Sequence, residues 1–167
     1  MKKHTIALIA IIIFIFLPSC AEQNAPSAID IVKSLTDAEF FLPAGKIYST
    51  AATEGEDEYI SDPLISTLFG GASIPVITTD WIDCAMFLPL SDHPCEFAVI
   101  RCASNDAAKD TASLLSLRLL SIKKTKGGKE SNELLDTSRV IVYKNYACLI
   151  ISSDSAAAEK LIKTMIP

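Results

Sequence analysis

Histidine is almost absent from this chain, and so are the short motifs that mark common hydrolases. Only His4 and His93 occur in 167 residues. The sequence has no G-x-S-x-G, no H-E-x-x-H and no glycine-rich phosphate loop followed by lysine. Because histidine is the usual general base near neutral pH, the chain has few means of acid–base catalysis. These absences disfavour an enzyme.

The sequence also lacks a long apolar run and a surplus of basic residues. The longest apolar run extends from Ile6 to Leu17, and as a helix it would cover about 18 Å at about 1.5 Å per residue. A bilayer core is about 30 Å thick, so this run is too short to span it. Acidic residues outnumber basic ones, 20 to 15. We therefore expect no nucleic-acid partner, because such proteins normally present a basic face.

The first twenty residues have the pattern of a bacterial lipoprotein signal. Lys2 and Lys3 precede the apolar run, which ends in Leu17-Pro18-Ser19-Cys20. A basic start, a short apolar middle and small residues at the end indicate a secretory signal peptide. The position of Cys20 is that of the cysteine that receives lipid. The alternative is ordinary cleavage after Ala21, because Ser19 and Ala21 also satisfy the small-x-small rule.

Cleavage before Cys20 divides the chain into three parts. Residues 1–19 are the cleaved signal peptide, residues 20–25 are the lipidated cysteine and a short tether, and residues 26–167 form a single α+β domain. A diacylglyceryl group carries two acyl chains, which is enough for stable anchoring. We expect a protein held at the extracytoplasmic face of the cell membrane. A six-residue tether reaches about 20 Å, so the domain stays close to the bilayer. The partner of the protein is therefore expected to be a membrane-proximal protein or a cell-wall component.

Four cysteines remain in the folded part: Cys84, Cys95, Cys102 and Cys148. An even number outside the cytoplasm permits two disulfides in any of three pairings. The alternative is that all four are small buried side chains, since Cys102 and Cys148 lie in apolar runs. The absence of a C-x-x-C pair disfavours thioredoxin-like chemistry.

The N-terminal part of the domain is predicted to be helical. Pro26 suits the first turn of a helix, with Asn24 as a candidate cap. A second, short helix is expected from Ser61 or Asp62, and Gly70 would end it.

From Trp81 the pattern changes to strand, strand, helix, and this order occurs twice. The strands are "WIDCAMF", "CEFAVIRC" and the two halves of "SRVIVYKNYACLIISS". The last pair turns at Lys144-Asn145, with Asn145 able to take a left-handed conformation. Apolar side chains at helical spacing are expected to face the sheet from the two helices: Ala108, Ala112, Leu115, Leu119 and Ile122, then Ala158, Leu161, Ile162 and Met165.

The two units resemble each other at an offset of 49 residues. "AVIRCASNDAAKD" aligns with "ACLIISSDSAAAE", so that Ser104 matches Ser153 and Asn105 matches Asp154. In both, a strand ends, a polar side chain caps the next helix, and alanines allow close approach to the sheet. The sequence thus predicts a four-stranded, mainly antiparallel sheet with helices on one face, preceded by a helical segment.

These stretches, together with the signal and "YISDPLISTLFG", resemble a family of clostridial lipoproteins of unknown function. The resemblance covers most of the mature chain and lies in its pattern rather than in particular residues. It implies a Gram-positive, extracytoplasmic setting, and it carries no catalytic motif.

Three arrangements are considered as candidates for chemistry. Cys95 with His93 as its base is disfavoured, because residues two apart in a turn rarely face each other. Zinc bound by His93, Cys95 and Cys84 has the spacing of no familiar site. Ser121-Ile122-Lys123-Lys124 matches S-x-x-K, but it lies near the end of its helix and the companion motifs are absent. We therefore assign no catalytic, cofactor-binding or metal-binding residue.

Three surface features remain open. The acidic "EGEDE" at residues 54–58 is read as a solvated loop, with a calcium site as the alternative. The lysines around Gly127-Gly128 form a solvated loop or contact anionic lipid heads or cell-wall polymers: Lys123, Lys124, Lys126 and Lys129. Trp81, Tyr143 and Tyr146 either pack in the fold or form a binding face for sugar or peptide.

The sequence therefore favours a lipid-anchored, extracytoplasmic binding module of the cell envelope whose ligand is unknown. The alternative is a small envelope enzyme or thiol-redox protein that uses a free cysteine. An exposed thiol with a lowered pKa would favour the enzyme, and four buried or paired sulfurs would favour the binding module.

Overall fold

The protein is an α+β domain, as the sequence predicts. The computed structural model describes residues 25–38, 40, 42–69, 79–126 and 129–167. The predicted signal peptide and Cys20 lie outside these residues, as do Asn24, Gly70 and Gly127-Gly128.

The described residues form five helices and five strands. The helices are α1 (Ala28–Asp37), α2 (Asp62–Phe69), α3 (Asn105–Lys126), α4 (Lys129–Asp136) and α5 (Ser155–Met165). The strands are β1 (Gly45–Ser49), β2 (Trp81–Pro89), β3 (Glu96–Cys102), β4 (Arg139–Tyr143) and β5 (Tyr146–Ile151).

The strands form one antiparallel sheet in the order β1-β2-β3-β5-β4. The two predicted hairpins are joined at its centre, where Phe97 of β3 pairs with Ile150 of β5. The prediction of four strands missed β1. This edge strand has the sequence "GKIYS" and its first four residues are only half-buried, so it lacks the apolar run that marks the central strands.

The two ends of the sheet are called the proximal and the distal end. The proximal end is the one where the described chain begins, beside Trp81, Cys102 and the turn Lys144-Asn145. The distal end contains the turn between β2 and β3 at residues 90–95. Helix α3 starts at the proximal end and reaches the distal end, where Lys126 Nζ donates to the His93 carbonyl oxygen at 3.3 Å.

Helices cover both faces of the sheet, so the prediction that they lie on one face is wrong. On one face, α1 and α5 pack on alternate strand residues that include Phe87, Phe97 and Ile150. On the other face, α2, α3 and α4 pack on the intervening residues, which include Met86 and Leu149.

In the second repeated unit, the segment between the strand and the cap of the next helix is one residue longer than in the first. After β3, Ser104 Oγ accepts the N–H of Ala107, so the cap of α3 lies two residues beyond Cys102. After β5, the cap of α5 is Asp154, three residues beyond Ile151. Successive residues of an extended chain point to opposite faces of the sheet. The extra residue after β5 therefore accompanies the packing of α5 on the face opposite to α3.

Helix α1 begins later than predicted. Its cap is Ser27, whose hydroxyl accepts the N–H of Asp30, while the Asp30 carboxylate accepts the N–H of Ser27. This reciprocal capping box satisfies two backbone donors at once. Pro26 precedes the cap. The inward-facing residues predicted on α3 and α5 are confirmed as buried or half-buried against the sheet.

A buried ion pair fixes α3 against the distal part of β3. Arg118 Nη2 lies 2.8 Å from Glu96 Oε2, and Arg118 Nε lies 3.2 Å from Glu96 Oε1. Glu96 is only 2% exposed. A two-pronged guanidinium–carboxylate contact fixes orientation as well as position, so this pair holds α3 at one point against β3.

Two leucines give a matched test of this core. Leu149 on β5 is fully buried, whereas Leu117 on α3 is 59% exposed. We expect Leu149→Ala to lower the free energy of unfolding by about 2–5 kcal/mol, because it removes apolar contacts and leaves a cavity. Leu117→Ala should change it by less than about 0.5 kcal/mol. Urea unfolding measures both, and similar losses for the two variants would contradict the arrangement of the core.

Candidate functional site

A cleft of about 500 Å³ lies at the proximal end of the sheet. It opens between the first described residues, the turn that joins β4 to β5, and the segment that follows α5. We call it the proximal cleft, and its lining residues are Ala25, Ile82, Arg101, Ala103, Ser104, Lys144, Asn145, Tyr146, Ile166 and Pro167.

Two charged groups on neighbouring strands hold the start of α1 beside the cleft. Arg101 Nη2 on β3 lies 2.5 Å from Asp83 Oδ2 on β2. The other carboxylate oxygen of Asp83 accepts the N–H of Ala28 at 2.8 Å. Arg101 Nε is buried and has no hydrogen-bond partner among the described residues. The guanidinium is therefore only partly satisfied.

Tyr146 completes this polar group from β5. Its hydroxyl donates to the Pro26 carbonyl oxygen at 2.6 Å, and the residue is 1% exposed. Burial raises the pKa of the Tyr146 phenol, and the positive charge of Arg101 opposes that rise. Asp83, Arg101 and Tyr146 thus bind the beginning of α1 to three adjacent strands.

Lys144 lies at the rim of the cleft in a left-handed conformation, with φ of 52°. The sequence assigned that conformation to Asn145, which instead uses its side chain: Asn145 Nδ2 donates to the Cys102 carbonyl oxygen at 2.7 Å. Asn105 Nδ2 donates to the Lys144 carbonyl oxygen at 2.7 Å. The two asparagines fix the turn, while the Lys144 side chain is exposed.

The three aromatic residues considered as a binding face do not share a surface. Trp81 Nε1 donates to Thr111 Oγ1 of α3 at 2.9 Å, and its ring meets Phe69 edge-on at 6.1 Å. Tyr146 lies on the opposite face of the sheet, beneath α1, and Tyr143 is half-buried there. The packing alternative is therefore confirmed.

The cysteines are free thiols, and all four are buried. Cys84 and Cys102 lie on the α3 face of the sheet, whereas Cys95 and Cys148 lie on the α1 face. Burial raises the pKa of Cys95 and Cys148 to about 12. It also raises the pKa of Cys84 and Cys102. At neutral pH these thiols are almost entirely protonated and therefore poor nucleophiles.

The strand register does not allow two disulfides. Cys148 pairs with Val99, four residues from Cys95, which is about 13 Å at about 3.3 Å per residue. That is far beyond the Cα separation that a disulfide spans, at most about 7 Å. Cys84 pairs with Ile100, so Cys102 is its diagonal neighbour at about 7–8 Å. Of the disulfide alternative, only a single Cys84–Cys102 bond is close to suitable geometry.

The catalytic and metal candidates do not assemble. His93 Nδ1 accepts the N–H of Cys95 at 3.1 Å, so the imidazole turns back onto its own loop. Cys84 lies on the opposite face of the sheet from Cys95, which separates the three ligands considered for zinc. Ser121 is an exposed residue near the end of α3. Within the described ranges, no group of three or more histidine, cysteine or acidic side chains is arranged to hold a metal ion.

The described residues of the two charged loops do not line the proximal cleft. The acidic residues 54–58 are exposed, and Glu58 makes a 3.4 Å ion pair with Lys46. Lys123 and Lys124 are exposed in the last turn of α3, at the distal end. Gly127-Gly128 and the side chain of Lys129 lie outside what the structure describes.

Sequence reasoning missed the proximal cleft, although it left a signal. Asp83 and Arg101 are charged residues within largely apolar strands, and they lie near the same end of one predicted hairpin. Opposite charges at such positions are expected to pair across the strands.

Comparison of the chain with family models, curated proteins and solved structures gives no match. The resemblance to clostridial lipoproteins therefore stays a prediction. Among the described helices, none is both long enough and apolar enough to cross a bilayer. Function has to be inferred from the chain's own residues.

The burial of the thiols leads to a direct prediction. In the folded protein, Cys84, Cys95, Cys102 and Cys148 should resist alkylation at neutral pH, because they are inaccessible and protonated. After unfolding in urea without reductant, all four should react. Mass spectrometry of peptides alkylated before and after unfolding measures this. A cysteine that reacts rapidly in the folded state, or one that needs reductant after unfolding, would contradict it.

Tyr146 gives a second prediction, with Tyr143 as its control. Tyr146→Phe removes the hydrogen bond to the Pro26 carbonyl and should cost about 1–3 kcal/mol. Amide exchange in the first turn of α1 should accelerate. The Tyr143 hydroxyl has no hydrogen bond within the described residues, so Tyr143→Phe should cost less than about 0.5 kcal/mol. Equal effects in urea unfolding would show that Tyr146 does not fasten α1.

Proposed function

We propose that this protein is a lipid-anchored binding module of the bacterial cell envelope, held at the extracytoplasmic face of the membrane through Cys20. The observation that carries the proposal is the lipoprotein pattern Leu17-Pro18-Ser19-Cys20, six residues before Pro26. The described chain begins at the proximal end of the sheet. A lipid on Cys20 would therefore hold this end of the domain toward the membrane.

The buried thiols support binding over thiol chemistry. A redox or nucleophilic cysteine needs an accessible sulfur with a lowered pKa. All four cysteines of the domain are buried, and burial raises the pKa of each. His93 engages its own loop rather than a sulfur. The alternative of a small envelope enzyme or thiol-redox protein would require these groups to be exposed and rearranged.

The distal end would face away from the membrane in this orientation. Leu90 is 67% exposed there, and Lys123 and Lys124 project from the last turn of α3. Helix α3 has 22 residues, which is about 33 Å at about 1.5 Å per residue. In this orientation these lysines are therefore too far from the membrane that holds the anchor to contact its lipid head groups. A membrane-proximal protein or an anionic cell-wall polymer is the partner that suits this surface.

The mature N-terminus provides the test of the anchor. We expect the protein from native membranes to begin at Cys20 and to carry a diacylglyceryl group, measured by mass spectrometry of the N-terminal peptide. Cys20→Ser should lose the lipid and leave the membrane fraction, because a tether without acyl chains has no apolar anchor. A chain that begins at unmodified Glu22, or one found in the cytosol, would contradict the proposal.

Proximity labelling tests the binding part of the proposal in the same cells. A label attached at the distal end should enrich the same membrane-proximal proteins or wall components in repeated experiments. The Cys20→Ser protein is the control, since it retains the fold but loses its place at the membrane. Identical neighbours for the anchored and unanchored proteins would remove the reason to infer a partner at the membrane.

A further inference from the structure

We propose that the proximal cleft docks on anionic phospholipid head groups, so that the domain rests on the membrane in one orientation. This inference depends on the proposed anchor at Cys20, and it adds a second membrane contact that the domain itself makes. Lys144 and Ile82 are its contact residues, and Arg101 lies in the wall of the cleft.

Position is the first argument. Ala25 lines the cleft and is five residues from Cys20, which is at most about 18 Å of extended chain. With Cys20 held at the lipid surface, the cleft is within reach of the head groups. Lys123 and Lys124, exposed in the last turn of α3, are at the far end of that helix, and Lys109 near its start is paired with Asp106.

The chemistry of the rim is the second argument. No ion pair within the described part of the chain includes Lys144, and its side chain is exposed. Asn105 Nδ2 donates to the Lys144 carbonyl oxygen at 2.7 Å. The Lys144 ammonium group is therefore carried by a turn whose backbone is held in place. The Arg101 guanidinium lies behind it in the wall of the cleft, paired with Asp83 and with a side chain that is 21% exposed. Ammonium and guanidinium groups are the usual partners of phosphate oxygens.

An exposed apolar side chain accompanies these cations. Ile82 is 54% exposed and lines the same cleft. It lies where β2 and β3 lose regular pairing, between Trp81 and Asp83. A bulge of this kind turns a side chain out of the sheet. An apolar side chain next to cations is the combination found at surfaces that lie on membranes.

Because the anchor already holds the protein at the membrane, a weak contact between the cleft and the head groups is enough to orient the domain. One or two cations bind an anionic surface only weakly, and salt screens the attraction. A lipid on Cys20 makes the second contact intramolecular, at the high effective concentration that a short tether provides. The contact therefore does not recruit the protein but fixes which end of it faces the bilayer.

The test uses the mature chain, residues 20–167, coupled through Cys20 to a maleimide-bearing lipid in vesicles. The four buried thiols leave Cys20 as the reactive one. Trp81 is the single tryptophan and lies at the proximal end, so energy transfer from it to dansyl-labelled lipid heads reports how closely that end approaches. Vesicles of phosphatidylcholine are compared with vesicles that also contain phosphatidylglycerol.

We expect greater energy transfer with phosphatidylglycerol, and loss of that difference at high salt. Lys144→Glu should abolish the difference, whereas Lys144→Arg should keep it. Lys124→Glu is the matched control: it makes the same change of charge at the distal end and should have no effect. Equal transfer with both lipids, or equal losses for Lys144→Glu and Lys124→Glu, would overturn the proposal.

The lipid is attached chemically, so this result does not depend on whether cells modify Cys20. Failure of the anchor appears in the mass of the native N-terminus. Failure of docking appears as energy transfer that is independent of lipid charge.

Discussion

The pairing of β3 with β5 is the constraint on which the rest of the fold depends. It joins two hairpins into one sheet and places residues such as Phe97 and Ile150 at its centre. Both strands are buried on both faces, so neither face can be left to solvent. Helices must cover both, and the extra residue before the cap Asp154, relative to Ser104, accompanies the packing of α5 on the face opposite to α3.

The same constraint determines where polar chemistry occurs. Within the centre of the sheet, thiols are the most polar side chains that the packing accepts on β5 and much of β3. Charges are accepted only near the ends of strands, where Asp83 pairs with Arg101 and Glu96 with Arg118. The proximal pair leaves one buried donor unsatisfied and lies beside a cleft, whereas the distal pair is bidentate. This difference is why the proximal end, rather than the core or the distal turn, is the candidate site.

Local features of the fold were predictable from the sequence, while those that depend on register were not. Helix α3 and the second hairpin follow from periodicity and turn residues that lie close together in the chain. The coverage of both faces was missed because "AVI" and "ACLII" lack the alternation that distinguishes an exposed face from a buried one. Strand β1 was missed because half-buried edge residues carry little pattern. The proximal cleft brings together residues such as Ile82 and Lys144, whose proximity only the strand order reveals.

The four sequestered sulfurs have a consequence for biogenesis. On the proposed export route the chain would cross the membrane unfolded, and in that state every thiol would be accessible to oxidants outside. Once the sheet forms, the strand register keeps Cys95 and Cys148 apart and burial keeps all four sulfurs from reagents. Oxidation of an exported chain would thus be confined to the interval between its emergence and its folding.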